Sequence, residues 1–159
     1  MTDSNASRAI MRLTSDLKNI QRDAPNGISA GPMDESNLYF WQATISGPEE
    51  TCWEGGLFNL RLTFSDEYPN KPPHVKFISE MFHPNVFLDG RICLDSLQNH
   101  WSSVYSVSSI LVAIQSLLTD PNPNSPANPE AAKLYVEDRK AYNRRVRACV
   151  EKSLEFIPE

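Results

Sequence analysis

The amino-acid sequence predicts an α+β fold in which one helix and a run of strands precede a long loop and further helices. Three observations predict this order: helical spacing of apolar residues near the start, strict apolar and polar alternation in the middle, and a second helical stripe after residue 105. The chain has 159 residues, enough for one ordinary domain. Hydrophobic residues make up 40% and charged residues 22%, proportions typical of a protein that folds.

The first predicted element is a helix. Its apolar face is expected to consist of Ile10, Leu13, Leu17 and Ile20. These residues recur at the three- and four-residue spacings of one helix face. The turn-forming run Pro25-Asn26-Gly27 ends the helix.

Antiparallel strands are predicted next. Residues 38–45 are rich in aromatic and β-branched side chains, residues 58–64 alternate between apolar and polar, and residues 75–78 supply a short third strand. Glycines at 55 and 56 and a turn-rich segment at 67–73 separate these strands. A meander of hairpins is the simplest topology for them.

Residues 81–105 show neither period, although they contain enough apolar side chains to anchor a loop on the core. Long ordered loops of this kind are usually functional.

A stripe from Val107 to Leu118 then predicts a central, buried helix with Ser106 as its N-cap. Prolines between 121 and 129 predict a stiff loop, with Asn128 as the N-cap of the next helix. A last helix is expected to turn Tyr142, Val146, Cys149 and Val150 inward.

Composition excludes several classes of protein. The formal net charge of −5 argues against a general nucleic-acid binder. The three cysteines are too scattered for a disulfide framework or a paired zinc motif, which favours a reducing compartment, the cytoplasm and the nucleus. No apolar run approaches the ~20 residues of a membrane span, and no Gly-rich phosphate loop or metal-ligand spacing occurs.

The irregular segment makes Cys93 the best candidate for a reactive thiol. Cys149 lies on an apolar helical face, and Cys52 precedes a tryptophan and a glycine pair, so small buried hydrophobes are the simpler interpretation there. A hydrolase would need an imidazole beside the thiol. The candidates are His74, His83 and His100. His83 is followed by Pro84 and Asn85 in what reads as a tight turn, which it more simply fixes by hydrogen bonds. A cysteine protease, another cysteine enzyme and a binding domain all remain open at this point.

One set of motifs is far more specific. His83-Pro84-Asn85 is followed eight residues after Asn85 by Cys93, and then by Trp101 and the Asp-Pro-Asn-Pro run at 120–123. This order resembles the ubiquitin-conjugating enzyme family. The resemblance runs from Arg8 to about Leu154. It includes the segments 29–32, 41–43, 47–48 and 68–73.

The resemblance implies a single catalytic domain with a four-stranded antiparallel sheet. The chain is most similar to the class that acts in DNA-damage tolerance and histone ubiquitination, on segments 80–86, 97–99 and 121–128. Cys93 would accept ubiquitin from the activating enzyme as a thioester and pass it to a substrate lysine with a RING-type ligase. ATP would be used by the activating enzyme, so no cofactor is implied. Carriage of another ubiquitin-like modifier, or a non-catalytic adaptor role, are the alternatives.

The resemblance also assigns roles around Cys93. Asn85 would stabilise the oxyanion, act as a loop strut, or do both, while His83 and Pro84 support the loop. Asp95, Asn122 and Ser125 would position the lysine. Ser125 stands where many relatives have Asp, so it offers a hydroxyl without charge, and its phosphorylation would restore the charge.

Surface contacts are implied as well. Ligase or activating-enzyme contacts would be Arg8, Arg12, Asn70, Trp101, Ser103 and Val104. Asn70 and Ser103 replace the Phe and Pro of many relatives. Val112 would contact the donor ubiquitin, with core packing as its alternative, and Ser29 would contact a second ubiquitin on the sheet. A monomer that binds neither membrane nor nucleic acid is expected.

Overall fold

The computed structural model describes residues 2–155. Its elements, in chain order, are α1 (Thr2–Arg22), β1 (Ile28–Asp34), β2 (Asn37–Ser46), β3 (Leu57–Thr63), β4 (His74–Phe77), a 3₁₀ turn (Asp95–Leu97), α2 (Val107–Thr119), α3 (Pro129–Glu137) and α4 (Arg139–Ser153). The strands form one antiparallel sheet in the order β1-β2-β3-β4. The predicted α+β order and meander are confirmed.

Strand β1 is the element that no periodicity indicated. It contains Gly31 and Pro32, both weak strand formers. Because β1 lies at the edge of the sheet, a proline there removes no central ladder hydrogen bond. Position in the sheet, which short-range pattern does not encode, permits this strand.

The buried face of α1 differs from the predicted one. Ile10, which was expected on the apolar face, is 37% exposed. Leu13 and Ile20 are buried as expected, and Ala9 and Asp16 complete the buried face. A carboxylate is tolerated there because Asp16 accepts hydrogen bonds from the Tyr68 hydroxyl and the Arg12 guanidinium.

The three C-terminal helices follow the sequence closely. Helix α2 buries its apolar stripe and contacts α1 and β2, with Ser106 and Ser109 forming a reciprocal capping box at its start. Asn128 caps α3, since its Oδ1 accepts from the Ala131 N–H at 3.1 Å. The predicted inward face of α4 is buried throughout.

A tight turn at 87–90 lies in the loop that contains Cys93 and contacts β4. Gly90 has a φ of +96°, donates its N–H to Phe87 O and accepts from the Phe77 N–H, both at 2.9 Å. A Cβ at this position would lie 2.1 Å from Phe77 O. The turn therefore requires glycine for its backbone angle and for the close approach of β4.

We expect Gly90→Ala to lower the free energy of unfolding by about 3 kcal/mol or more, because left-handed strain and a backbone clash add. Gly55→Ala is the matched control: φ is +88° and no heavy atom lies within 4 Å of its Cβ position. Strain alone should cost about 1–2 kcal/mol there. Urea unfolding of both variants measures the difference, and equal losses would contradict the role of the close contact.

Candidate active site

The predicted loop at 81–105 is irregular and firmly anchored. Residues 81–86 are all buried. Isolated bridges pair Val86 with Ile92 and Lys76 with Arg91, which ties the loop to itself and to β4. The 3₁₀ turn at Asp95–Leu97 is its one short helical segment.

His83 is a completely buried strut between the loop and α2. Its Nδ1 accepts the Asn85 N–H at 2.9 Å, and its Nε2 lies 2.6 Å from Leu117 O. Because Nδ1 accepts, Nε2 must hold the proton and donate it to the carbonyl. Burial lowers the pKa of His83 to about 4. Both nitrogens of this neutral ring are occupied, so His83 is not placed to act as the base of a cysteine protease.

Lowering the pH from 7 toward 4 is expected to destabilise the fold through His83. The histidine of the unfolded chain titrates near pH 6.5, whereas that of the fold titrates near pH 4. The unfolded state therefore takes up the proton first. The stabilising contribution of neutral His83 is complete above about pH 6.5 and is lost as the pH falls through the pKa of the folded state. Protonation of His83 should lower the free energy of unfolding by an amount on the order of 3 kcal/mol.

The comparison that isolates His83 is urea unfolding of the native chain and of His83→Gln across this pH range. The glutamine variant is expected to be less stable at pH 7, because it lacks the ring that fills the site. Its free energy of unfolding should then fall less steeply between pH 6.5 and 4. Equal slopes would assign the pH dependence to carboxylates instead.

Asn85 holds the proline-rich loop at 121–127 beside the Cys93 segment. Its Nδ2 donates to Asn122 O and its Oδ1 accepts from the Asn122 N–H, both at 2.8 Å. Pro84 O accepts from the N–H groups of Ala127 and Asn128 at 2.8 and 3.0 Å. A side-chain amide nitrogen has two hydrogens, and Asn122 uses one of them. The Asn85 side chain is a buried strut, and Asn122 does not use its second N–H.

Cys93 lies directly against this turn. Its backbone N–H donates to Asn85 O at 2.8 Å, and its side chain is half-buried and free of any disulfide. The other two thiols are less suited to chemistry. Cys149 is buried, and burial raises its pKa to about 11, while burial also raises the pKa of the half-buried Cys52. A raised pKa disfavours the thiolate, which is the nucleophilic form.

The residues assigned to lysine positioning lie on the two segments that meet at Asn85. Asp95 is exposed at the start of the 3₁₀ turn, two residues after Cys93. Asn122 and Ser125 are exposed on the proline-rich loop. The Oδ1 of Asn122 accepts the Asn124 N–H at 3.1 Å, so this side chain also shapes its own loop.

Val112 is 39% exposed on α2, which contradicts the core-packing alternative for this residue. Ser29 is exposed on β1, where it pairs in register with Thr44 of β2. The two residues therefore belong to open surfaces of a helix and of the sheet edge.

The residues assigned to ligase and activating-enzyme contacts form one surface around α1. Exposed members are Arg8, Asn70, Ser103 and Val104. Arg12 donates to Ser103 O at 2.8 Å and to Tyr105 O at 2.6 Å, which fixes the loop at 103–105 to α1. The Trp101 Nε1 donates to Pro69 O at 2.9 Å, joining two further loops. Sequence analysis missed this stapling role of Arg12, because nothing local indicates a partner 91 residues away.

Residues 2–155 contain neither a cluster of metal ligands nor a helix that could span a membrane. No group of three or more His, Cys, Asp or Glu side chains there is arranged to hold a metal ion. None of the helices in that range has the length and apolarity to cross a membrane.

Comparison with known proteins identifies this architecture. Residues 12–150 match the family model described as ubiquitin-conjugating enzyme. Ubiquitin-conjugating enzyme E2 3 of Arabidopsis thaliana is 56% identical over 142 residues, which cover 89% of this chain and 94% of that protein. Ubiquitin-conjugating enzyme E2 1 of Caenorhabditis elegans is 58% identical over 142 residues, covering 89% of this chain and 73% of that protein. The chain belongs to the ubiquitin-conjugating enzyme family, whose members are transferases that use a cysteine thioester intermediate.

Proposed function

We propose that Cys93 accepts ubiquitin from the activating enzyme as a thioester and passes it to a substrate lysine. Membership of the family implies ubiquitin, an activating enzyme and a ubiquitin ligase as partners. The observation that supports Cys93 is its half-buried, unbonded thiol on a residue whose backbone N–H binds Asn85 O, in contrast to buried Cys149. The chemistry suits sulfur, since a thioester is open to attack by an amine and a thiolate leaves readily.

A charging assay tests this function. The protein is incubated with ATP, ubiquitin and the ubiquitin-activating enzyme, and in parallel with other ubiquitin-like modifiers and their activating enzymes. A reductant-sensitive adduct with ubiquitin is expected. An adduct with another modifier alone would identify a different cargo, and failure with every modifier would indicate an adaptor.

We infer that Asn85 also assists the transfer of ubiquitin. As the amine adds, the carbonyl oxygen of the thioester gains negative charge, which a fixed amide N–H stabilises. One N–H of the Asn85 amide holds Asn122, and the second would serve the oxyanion. Asn85 would therefore both stabilise the oxyanion and hold the proline-rich loop.

The lysine itself must be neutral to attack, although a free lysine amine has a pKa of ~10.4. We infer that Asp95 positions the amine from one side, and that Asn122 and Ser125 do so from the proline-rich loop. A partly desolvated site lowers the pKa of an amine, which raises its neutral fraction.

Charge at Ser125 is expected to accelerate discharge to lysine. Ser125→Asp places a carboxylate on the exposed rim of the loop and mimics phosphorylation of this serine. Discharge to free lysine should rise about two- to fivefold, the effect of one exposed charge pair. Ser125→Asn is the uncharged control of the same size. An aspartate variant no faster than the asparagine variant would sink the idea that charge matters here.

The surface around α1 is proposed to receive a RING-type ligase. Arg8, Asn70, Trp101, Ser103 and Val104 would contact the partner directly, while Arg12 holds the loop at 103–105 in place. Titration of a labelled RING domain against Val104→Asp tests this, because Val104 is 79% exposed and its substitution leaves the core intact. Undiminished binding would place the ligase elsewhere.

We further infer that the chain is a single-domain monomer of the class that acts in DNA-damage tolerance and histone ubiquitination, present in cytoplasm and nucleus. The sequence segments at 80–86, 97–99 and 121–128 support this class. Incubation of the charged enzyme with purified histones tests the substrate.

Ser29 is proposed to contact a second ubiquitin, and Val112 the donor ubiquitin. Chemical-shift mapping with ubiquitin tests both contacts.

A further inference from the structure

A row of three cations crosses the outer face of the sheet and ends at the active-site loop. Arg61 of β3 lies directly opposite Lys76 of β4, and Lys76 is bridged in turn to Arg91 of the loop. All three residues are exposed. Neighbouring strands lie about 4.8 Å apart, so the row is about 10 Å long. Arg91 is two residues before Cys93, so the row leads toward the proposed thioester.

Repulsion within this row of cations lowers the stability of the protein when no partner is bound. Like charges directly opposite on neighbouring strands destabilise a sheet. Arg91 has a carboxylate partner, with its Nε 2.8 Å from Asp89 Oδ2. Within residues 2–155, neither Arg61 nor Lys76 forms a salt bridge. Asp89 is therefore the one carboxylate that forms a salt bridge with this row in the described part of the chain, and it leaves two of the three cations without such a partner.

The same cations line a groove with apolar walls and a volume of about 730 Å³. Its large exposed apolar side chains are Met33, Phe40 and Phe87. The Arg91 guanidinium lies over the Phe87 ring, 4.5 Å from its centroid. No aspartate or glutamate of the described part of the chain lines the groove, and its lining includes Ile92, the residue before Cys93.

We propose that this groove binds an acidic segment of the substrate protein, next to the lysine that receives ubiquitin. The three cations select carboxylates, and the exposed aromatic and methionine side chains select an apolar residue among them. Duplex nucleic acid matches the charge but offers little apolar surface to those side chains. Since an extended peptide rises about 3.4 Å per residue, an acidic run of about four residues spans the row. The inference rests on Cys93 as the ubiquitin carrier, because Arg91 and Ile92, which line the groove, directly precede that residue in the chain.

Single-turnover discharge of the charged enzyme to two short blocked peptides tests the proposal. The acidic peptide has one lysine followed by glutamates around a phenylalanine, and its twin has glutamines in their place. For the native enzyme, the discharge rate at subsaturating peptide should be about tenfold higher with the acidic peptide, the combined effect of a few exposed ion pairs. The ratio should approach one at about 0.5 M salt. A ratio of one at low salt would overturn the proposal.

Two charge-reversed variants assign the preference to the row. Arg61→Glu/Lys76→Glu should bring the ratio of acidic to neutral peptide to one or below. Lys140→Glu/Arg144→Glu makes the same change in net charge at two exposed positions of α4 and should leave the ratio near the native value. Comparing ratios within each variant removes any difference in overall discharge. Equal ratios in the two variants would reject the row as the cause.

Direct binding separates this proposal from the proposed thioester function. The acidic peptide should shift the backbone amide resonances of residues 61, 76 and 91 in the uncharged enzyme, and the neutral twin should not. Such shifts in a protein that fails to form an adduct would leave the groove standing while the carrier function falls. Shifts without a discharge preference would reject the substrate as the occupant. If a short DNA duplex shifts these resonances more than the peptide does, the occupant of the groove is nucleic acid and the proposal is overturned.

Discussion

Replacement of Cys93 by serine is expected to convert the reductant-sensitive ubiquitin adduct into a reductant-stable ester. The serine oxygen takes nearly the position of the sulfur and forms an acyl bond that thiols do not cleave. Discharge from this ester to lysine should be slower by three orders of magnitude or more, because an alkoxide leaves far less readily than a thiolate. Cys93→Ala should form no adduct at all. Gel mobility with and without reductant reads out all three proteins.

The matched control for this experiment is Cys52→Ser. Cys52 is also half-buried and unbonded, but burial raises the pKa of its thiol. Its variant should charge with ubiquitin like the native chain and keep a reductant-sensitive adduct. A reductant-sensitive adduct on Cys93→Ala would assign the chemistry to another cysteine and end the case for Cys93.

Substitution of Asn85 is expected to give the second-largest effect, and two variants separate its two tasks. Asn85→Ala removes both hydrogen bonds to Asn122 and the spare N–H together. Discharge to lysine should fall by about a hundredfold or more, as when an oxyanion donor is lost, and the free energy of unfolding should also fall. Asn85→Asp keeps an oxygen that can accept the Asn122 N–H but has no side-chain N–H when ionised.

The aspartate variant therefore discriminates between the roles. If the oxyanion contact matters, its discharge to lysine should be as slow as that of Asn85→Ala, while its loss of stability in urea is smaller. If Asn85 acts as a strut alone, the discharge rates of the two variants should follow their stabilities. Single-turnover discharge from pre-charged enzyme excludes effects on the charging step.

The sequence predicted most of the fold because its strongest patterns lie in buried elements. The stripe of α2 and the alternation of β3 each match one surface of the core, and Ser106 and Asn128 cap the helices that they were expected to cap. The sequence did not indicate strand β1 or the exposure of Ile10. Both depend on which other elements pack against the edge strand and the first helix. Local spacing does not contain that information.

The site was predictable in part. His83, Pro84, Asn85 and Cys93 stand out as a motif, and the hydrogen bonds of His83 are of the kind that its place before a proline suggested. Long-range contacts were not predictable. The staple from Arg12 to Ser103 and the alignment of Arg61 with Lys76 join residues that are distant in the chain, and only the folded register brings them together.

The proline-rich loop is fastened at its main chain. The Asn85 side chain hydrogen-bonds the backbone N–H and C=O of Asn122, and Pro84 O accepts from the backbone N–H groups of Ala127 and Asn128. Those anchors make no demand on the side chains at 123–126. The rim of the active site is thus an exchangeable module, and a new acceptor preference can evolve or be engineered there by substitution alone, without rebuilding the frame that holds the reacting groups.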